Sequence, residues 1–514
     1  MLLAVSILQY LQNYPEQYLE NGIAEQLKYM SLEKISRMDY REYQETGTGK
    51  TVQIIENGSA AGTNIIFSFY LRIFADLLPS IVFSLLFIGS LNIKIMIVLA
   101  FSYIFVALIS RLLMKKLYEY KEKLLNKQEE KSGYSVRSFM EFVVFRLNKQ
   151  YQYEMEKIRE SAKDVVNTEC KIIMTHEAFF SIFELMVIII KSVLLFIGIG
   201  NIVHGNTTIG IIVALISFID KVYSPIAIFN VLYVQYKLNK FSYNRLTDFI
   251  GKKDDKNLYQ GKKVENSIRT IEISDLSYSY NEVAGFSKLN LIFSKGQTIA
   301  LAGESGSGKS TLVKLICGLL KKEKGSILIN GVDIDSIKLD SYYDHLSYLS
   351  QETSVFDGTI RENIVFQEEI SDEKIYEYLK EVNLYEKVRS LENQLDTGIG
   401  EKGIQLSGGE RQRLALARVM AQKREFIILD EATSALDMIN EQIVLDNIIK
   451  NMRESIILMI AHRIQSIRHA DKIVLFKNFR IIDTGTFDEL MQRSSYFREL
   501  WDRGDGEKMD IGKL

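Results

Sequence analysis

The chain has 514 residues, with 63 Lys+Arg against 65 Asp+Glu and a formal charge of −2, which removes the global basic field that marks a nucleic-acid binder. A hydrophobic share of 47% excludes a disordered chain, and the 2 cysteines, Cys170 and Cys317, exclude both a disulfide scaffold and a cysteine-based zinc module. The mean hydropathy of +0.00 averages two unlike halves.

The apolar mass lies before about residue 240. Residues 1–12 (MLLAVSILQYLQ) form a short apolar stretch with no basic region before it, so they read as a weak membrane span rather than a cleavable signal. Residues 77–93 and 95–110 are almost uninterrupted apolar runs separated at Gly89-Ser90-Leu91-Asn92, and two more follow at 178–203 and 209–234. Each approaches the roughly 20 residues a bilayer-spanning helix needs. The connection 111–177 is rich in Lys and Arg, from Arg111, Lys115 and Lys116 through Lys163 and Lys171, whereas 88–93 and 199–209 carry none. By the positive-inside rule the long connection is cytoplasmic, and so is everything after about residue 235. Its amphipathic texture (KKLYEYKEKLLNKQEEK) predicts helices that continue well beyond the membrane. Glu184 and Lys191, seven apart, share nearly one helix face; they are either a functional pair in the membrane or a charge pair in a wet cavity, and Asp220 and Lys221 pose the same question.

A polar, turn-rich linker covers 251–268, and the pattern from 269 to 504 is that of an α/β domain, followed by a charged tail at 505–514. Within that domain GESGSGKS at 303–310, then Thr311, follows the apolar run Ile299–Ala302 and opens into a helical pattern. This is the strand–loop–helix context of a phosphate loop. Gly303, Gly306 and Gly308 let the backbone amides of Glu304, Ser305 and Ser307 curl toward phosphate oxygens, Lys309 reaches the β/γ-phosphates, and the Ser310 hydroxyl can ligate Mg²⁺. EFIILDE at 425–431 supplies a strand ending in two acids: Asp430 to hold Mg²⁺ through water, and Glu431 to polarise an attacking water.

Between these lies LSGGERQR at 406–413. With it the chain resembles the ATP-binding cassette (ABC) transporters along nearly its whole length. Ser434-Ala435-Leu436-Asp437 resemble the D-loop of that family, and the wording VFDGTIRENI after Gln351 resembles exporters with fused membrane and nucleotide domains, as does LEKISRMDYREYQETGTGK at 32–50. The resemblance implies a polytopic all-α membrane domain over 1–250, of about five transmembrane helices, followed by an α/β P-loop ATPase domain. It implies ATP and Mg²⁺ as cofactors, Tyr280 stacking on adenine, Gln351 as a metal and nucleotide contact beside Ser310 and Asp430, and His462 as the switch histidine beside catalytic Glu431 and Lys309. It also implies that Ser407, Gly408 and Gly409 face the γ-phosphate held by a second chain, in a homodimer or heterodimer. Segments near 43–52 and 140–152 resemble the loop tips that dock on nucleotide domains. Glu410 stands where Gln is usual, at a tolerant position. The usual first of six helices is missing from the match, which predicts either a start placed too late or a shortened subunit. The expected function is an export subunit in the cell membrane with its ATPase domain in the cytoplasm, contacting membrane lipids and moving a peptide, lipid or amphipathic drug. The alternative is an ATP-sensing subunit of a membrane complex.

Overall fold

The computed structural model describes the chain apart from residues 1, 47, 92, 204–207, 280–284, 352–353, 367–368, 401–405, 461–462 and 507–514. It divides into two compact units, one of Met1–Met38 with Glu42–Lys253 and one of Asp39–Arg41 with Asp254–Leu514.

The first unit is helical. Its long helices are Leu2–Arg37, Ile93–Met140, Tyr151–Val203 and Ile209–Ile250. A further helix begins at Thr48–Asn64 and runs through π-helical stretches at Ile65–Leu71 and Ile73–Leu77 into Leu78–Leu91. The apolar run that starts at residue 77 is therefore the end of a much longer helix, whose apolar part already begins at Ile65 and is interrupted by charge only at Arg72 and Asp76, while the polar turns of Thr48–Asn64 carry no hydropathy signal. Among the described residues two helices, Thr51–Ser90 and Tyr151–Ile202, are long and apolar enough to cross a membrane. Only 17% and 11% of their most apolar windows is buried, so this surface suits lipid or another chain. Of the segments near 43–52 and 140–152, the first overlaps the short helix Tyr40–Thr46 and the start of Thr48–Asn64, and the second overlaps the short helix Phe142–Leu147.

Packing inside this unit depends on small residues at the crossings. A Cβ on Gly58 would lie 2.4 Å from the Leu246 Cβ, and one on Gly62 2.9 Å from Leu27 and Tyr243, so glycine lets these backbones approach closely. Glu184 is exposed on its helix and Lys191 half-buried, while the side chain of Asp220 lies outside the described residues.

The second unit carries two sheets. Its strands are β1 (Thr270–Ser279), β2 (Gly285–Ser294), β3 (Thr298–Ala302), β4 (Lys324–Ile329), β5 (Val332–Asp333), β6 (Leu346–Leu349), β7 (Phe426–Asp430), β8 (Ile456–Ile460), β9 (Lys472–Lys477) and β10 (Arg480–Gly485). One sheet has the order β2-β1-β4-β5 with antiparallel pairing; the other has the order β10-β9-β3-β8-β7-β6, parallel except at the β9–β10 edge. Strands β3, β7 and β8 are buried at every position, which is why each reads as a continuous apolar run rather than an alternating one. The linker stretch holds a short helix, Lys256–Tyr259, whose N-cap Asp255 accepts from the Asn257 amide. The carboxyl ends of β3, β8 and β7 are neighbours in the parallel sheet, the usual place for a ligand site in an open α/β sheet.

Candidate functional site

The loop after β3 turns on three glycines with positive φ: Gly303 at 144°, Gly306 at 78° and Gly308 at 105°. A Cβ at Gly303 would come within 2.2 Å of the Phe476 carbonyl oxygen, and one at Gly308 within 2.7 Å of Phe479 and 2.9 Å of Phe286. Only glycine fits both the dihedrals and the space there. The helix Lys309–Ile316 starts directly after Gly308, so its N-terminal amides and positive dipole end point at the loop. Glu304, Ser305 and Gly306 are exposed at the loop crown, Ser307 is buried beneath, Ser310 is exposed and Thr311 half-buried.

Lys309 is buried, and its Nζ donates to the carbonyls of Gly303 at 2.8 Å and Glu304 at 2.9 Å and to Ser307 Oγ at 3.4 Å. Burial pushes its pKa below the usual lysine range, against the pull of Glu431 and Asp430. A phosphate supplies the negative charge that offsets such desolvation. At the end of β7, Asp430 is buried; burial and the neighbouring Glu431 push its pKa up, while hydrogen bonds with Ser310 and Tyr348 and the Lys309 charge hold it back. The Tyr348 hydroxyl donates to Asp430 Oδ2 at 3.4 Å. Gln351 Nε2 donates to Glu431 Oε2 at 2.7 Å. Glu431 has φ 50°, uncommon for a residue with a side chain, and its amide donates to the Ile460 carbonyl at 2.9 Å.

The chain thus brings Lys309, Ser310, Gln351, Asp430 and Glu431 to one edge of the sheet. Tyr280 and His462 lie outside the described residues. No group of three His, Cys, Asp or Glu suited to a metal occurs among the described residues. The Ser310 hydroxyl, Asp430 carboxylate and Gln351 amide are nevertheless hard oxygen donors of the kind Mg²⁺ takes beside phosphates, so the donor set fits that ion.

The signature stretch occupies a different place. Ser407 caps the helix Gly408–Gln422 in a reciprocal capping box: the Glu410 amide donates to Ser407 Oγ at 3.2 Å, and the Ser407 amide donates to Glu410 Oε2 at 2.7 Å. The unusual Glu410 therefore completes the helix start, a role the Ser-x-x-Glu spacing already announces. Glu410→Ala is expected to lower the stability of the purified chain by about 1 kcal/mol, and Glu410→Gln to leave it within about 0.5 kcal/mol. Thermal unfolding measures both, and equal midpoints for Ala and wild type would refute the cap. Further along this helix, Gln412 Nε2 donates to Ser434 Oγ at 3.0 Å and its Oε1 accepts from the Ala435 amide at 2.8 Å. The glycine-rich helix start is thereby tied to the turn that follows Glu431. Tyr348 and Gln412 had no sequence signal of their own, since each gains its partner only through the sheet or the turn.

The comparisons agree with this architecture. Residues 1–226 match the profile of the ABC transporter transmembrane region, and residues 286–434 that of the ABC transporter. A Rickettsia prowazekii protein named as an export ATP-binding/permease protein is 28% identical over 516 residues, covering 97% of this chain and 87% of the relative. An ATP-dependent lipid A-core flippase of Francisella tularensis is 36% identical over 236 residues, and the match spans 46% of this chain and 39% of the flippase's length. A bacterial Atm1-family ABC exporter with ATP bound superimposes with a TM-score of 0.85 at 20% identity, covering 97% of this chain and 88% of that one. A helical membrane region and a phosphate-loop domain of this sheet order, each matched in its own half, mean that the chain belongs to the ABC transporter family.

Proposed function

We propose that the chain binds and hydrolyses ATP and uses it to drive export, working as one half of a two-chain transporter in the cell membrane, with the helical unit crossing the bilayer several times and the second unit in the cytoplasm. The observation that carries this reading is the set Lys309, Ser310, Gln351, Asp430 and Glu431 at one sheet edge, in a chain whose other half matches an ABC transporter transmembrane region.

In this reading the loop amides of 304–308 and the Lys309 ammonium hold the β- and γ-phosphates, and Tyr280 stacks on the base. Ser310, Asp430 and Gln351 hold Mg²⁺, which when bound neutralises charge building up on the phosphates. Glu431, oriented by Gln351, accepts hydrogen bonding from the attacking water and polarises it, with His462 on the γ-phosphate side. Ser407, Gly408 and Gly409 of a second chain close the site through a helix N-terminus. The γ-phosphate thus interacts differently with the closed and open pairs, the differential contact a conformational switch requires.

The names of the relatives, a lipid A-core flippase and, in Bacillus subtilis, a multidrug export ATP-binding/permease protein 34% identical over 307 residues, favour a lipid or amphipathic drug over a peptide as cargo. The test is ATP hydrolysis by the purified chain in lipid vesicles, with a lipid, an amphipathic drug and a peptide added in turn. Stimulation by a lipid or a drug supports the reading; stimulation by the peptide alone would reassign the cargo, and no hydrolysis under any condition would contradict the function.

A further inference from the structure

Glu441 carries a carboxylate that the scheme above does not use. It lies in the first turn of the helix Met438–Asn451 and is only 4% exposed. Three side chains converge on it. Thr433 Oγ1 donates to its Oε1 at 2.7 Å, the Ser466 hydroxyl donates to the same oxygen, and Arg463 Nη1 donates to its Oε2 at 3.0 Å. Arg463 also donates to the Leu436 carbonyl at 3.1 Å.

None of these partners belongs to the helix that carries Glu441. Thr433 and Leu436 bracket Ser434 and Ala435, the pair held by Gln412 of the signature helix. Thr433 stands two residues after Glu431, and Arg463 directly follows His462 in sequence. A single buried carboxylate thus joins the turn beside Glu431, the segment after residue 462 and, through Gln412, the helix capped by Ser407. Burying a charge costs several kcal/mol unless it is paired and hydrogen-bonded, and an apolar residue would fill the same place at lower cost if packing alone were needed. Glu431 itself sits at φ 50°. A side chain in that sparsely populated region stays there only while its surroundings hold it. The contacts that fix it include its amide to Ile460 and the Ser434 amide to its own carbonyl at 3.2 Å.

We propose that Glu441 is a positioning residue for hydrolysis, which fixes the Thr433–Leu436 turn against Arg463 so that the placement of Glu431 follows the state of the signature helix in the same chain. This rests on the reading of Glu431 as the carboxylate that polarises water. The signature helix serves the γ-phosphate of one site and Glu431 the other, so Glu441 lies on the route by which one site senses closure at its neighbour. Small displacements of a reacting group are expensive, with a shift of about 1 Å costing on the order of 10²-fold in rate.

The test uses the full chain in lipid vesicles, comparing wild type, Glu441→Gln, Glu441→Ala and Glu431→Gln for kcat, KM for ATP and binding of a fluorescent ATP analogue. Glu441→Gln keeps an acceptor for Thr433 and Ser466 but loses the charge facing Arg463. The expected result is a graded loss of kcat, about 10-fold for Gln and about 10²-fold for Ala, with KM and analogue binding within about 3-fold of wild type. Should Glu441→Ala fail to fold, Glu441→Gln decides alone. Wild-type kcat in Glu441→Gln overturns the proposal, and so does a loss of kcat matched by an equal loss of nucleotide binding, which marks collapse of the pocket. Glu431→Gln separates the two readings. If it keeps wild-type turnover, the assignment of the hydrolytic carboxylate fails; if it is inactive while Glu441→Gln is unimpaired, only the positioning role fails.

Discussion

Glu431→Gln is expected to leave a chain that binds ATP but turns it over on the order of 10²–10⁴-fold more slowly than wild type, the range for loss of a positioned general base. The substitution keeps the size of the side chain and an oxygen to accept from Gln351, whose Nε2 lies 2.7 Å from Glu431 Oε2. What it removes, on the proposed reading, is the negative charge that polarises water. Because Lys309 and the loop glycines are untouched, the ground-state contacts to phosphate persist, so the loss falls on kcat and not on nucleotide affinity. The same substitution relieves repulsion on Asp430, whose pKa is pushed up by burial and by Glu431. Retention of bound ATP after rapid desalting, together with kcat in lipid, checks the expectation; wild-type kcat would move the role to another residue, with His462 the next to replace.

Lys309→Ala is expected to fail in both respects. The lysine is buried with its ammonium donating to two loop carbonyls and Ser307, so it is placed before ATP arrives and loses little freedom on binding. On the proposed reading it faces phosphate charge in the ground state and in the transition state alike. Removing it should therefore weaken ATP binding and lower kcat by on the order of 10²–10³-fold, comparable to loss of one preorganised oxyanion donor. Nucleotide titration and kcat measure the two effects separately. The contrast with Glu431→Gln is the informative part: one variant holds ATP and the other does not. Tight nucleotide binding by Lys309→Ala would refute the phosphate-loop assignment.

The site was legible in the sequence where spacing along the chain fixes geometry. Gly303, Gly308, Lys309 and Ser310 are held by one turn between a strand and a helix, so their order alone places them. Asp430 and Glu431 follow from a strand that is buried at all five positions and must end at the same sheet edge. Partners that meet through tertiary structure carry no such trace. Tyr348 reaches Asp430 only because β6 lies beside β7, and Glu441 gathers Thr433, Arg463 and Ser466 from two separate loops. Glu410 is an intermediate case: beside the glycines it reads as a deviation from glutamine, although the Ser-x-x-Glu spacing to Ser407 spells a capping box that either residue completes. In the helical half, hydropathy located the apolar runs, and the amphipathic texture of KKLYEYKEKLLNKQEEK read as a helical continuation that Ile93–Met140 contains, but the polar stretch Thr48–Asn64 gave no such signal.

On the proposed reading, hydrolysis occurs at a site shared by two chains, with Lys309 and Glu431 from one and Ser407, Gly408 and Gly409 from the other. Within one chain the signature helix start is tied to the Ser434–Ala435 turn through Gln412, and Ser407 stands exposed in a capping box with Glu410. Mixing purified Lys309→Ala chains with Ser407→Arg chains in lipid tests the claim most directly. Each preparation alone has a lesion in both of its sites and should be inactive, while Ser407→Arg chains still bind the ATP analogue. A mixed pair concentrates both lesions in one site and leaves the other with every element intact, so ATP hydrolysis should return on mixing. Recovery on mixing is the result the shared site predicts, provided one site can turn over alone; no recovery once cross-linking shows that mixed pairs have formed would mean that the two sites fire only together, and wild-type hydrolysis by Ser407→Arg chains alone would contradict the shared site.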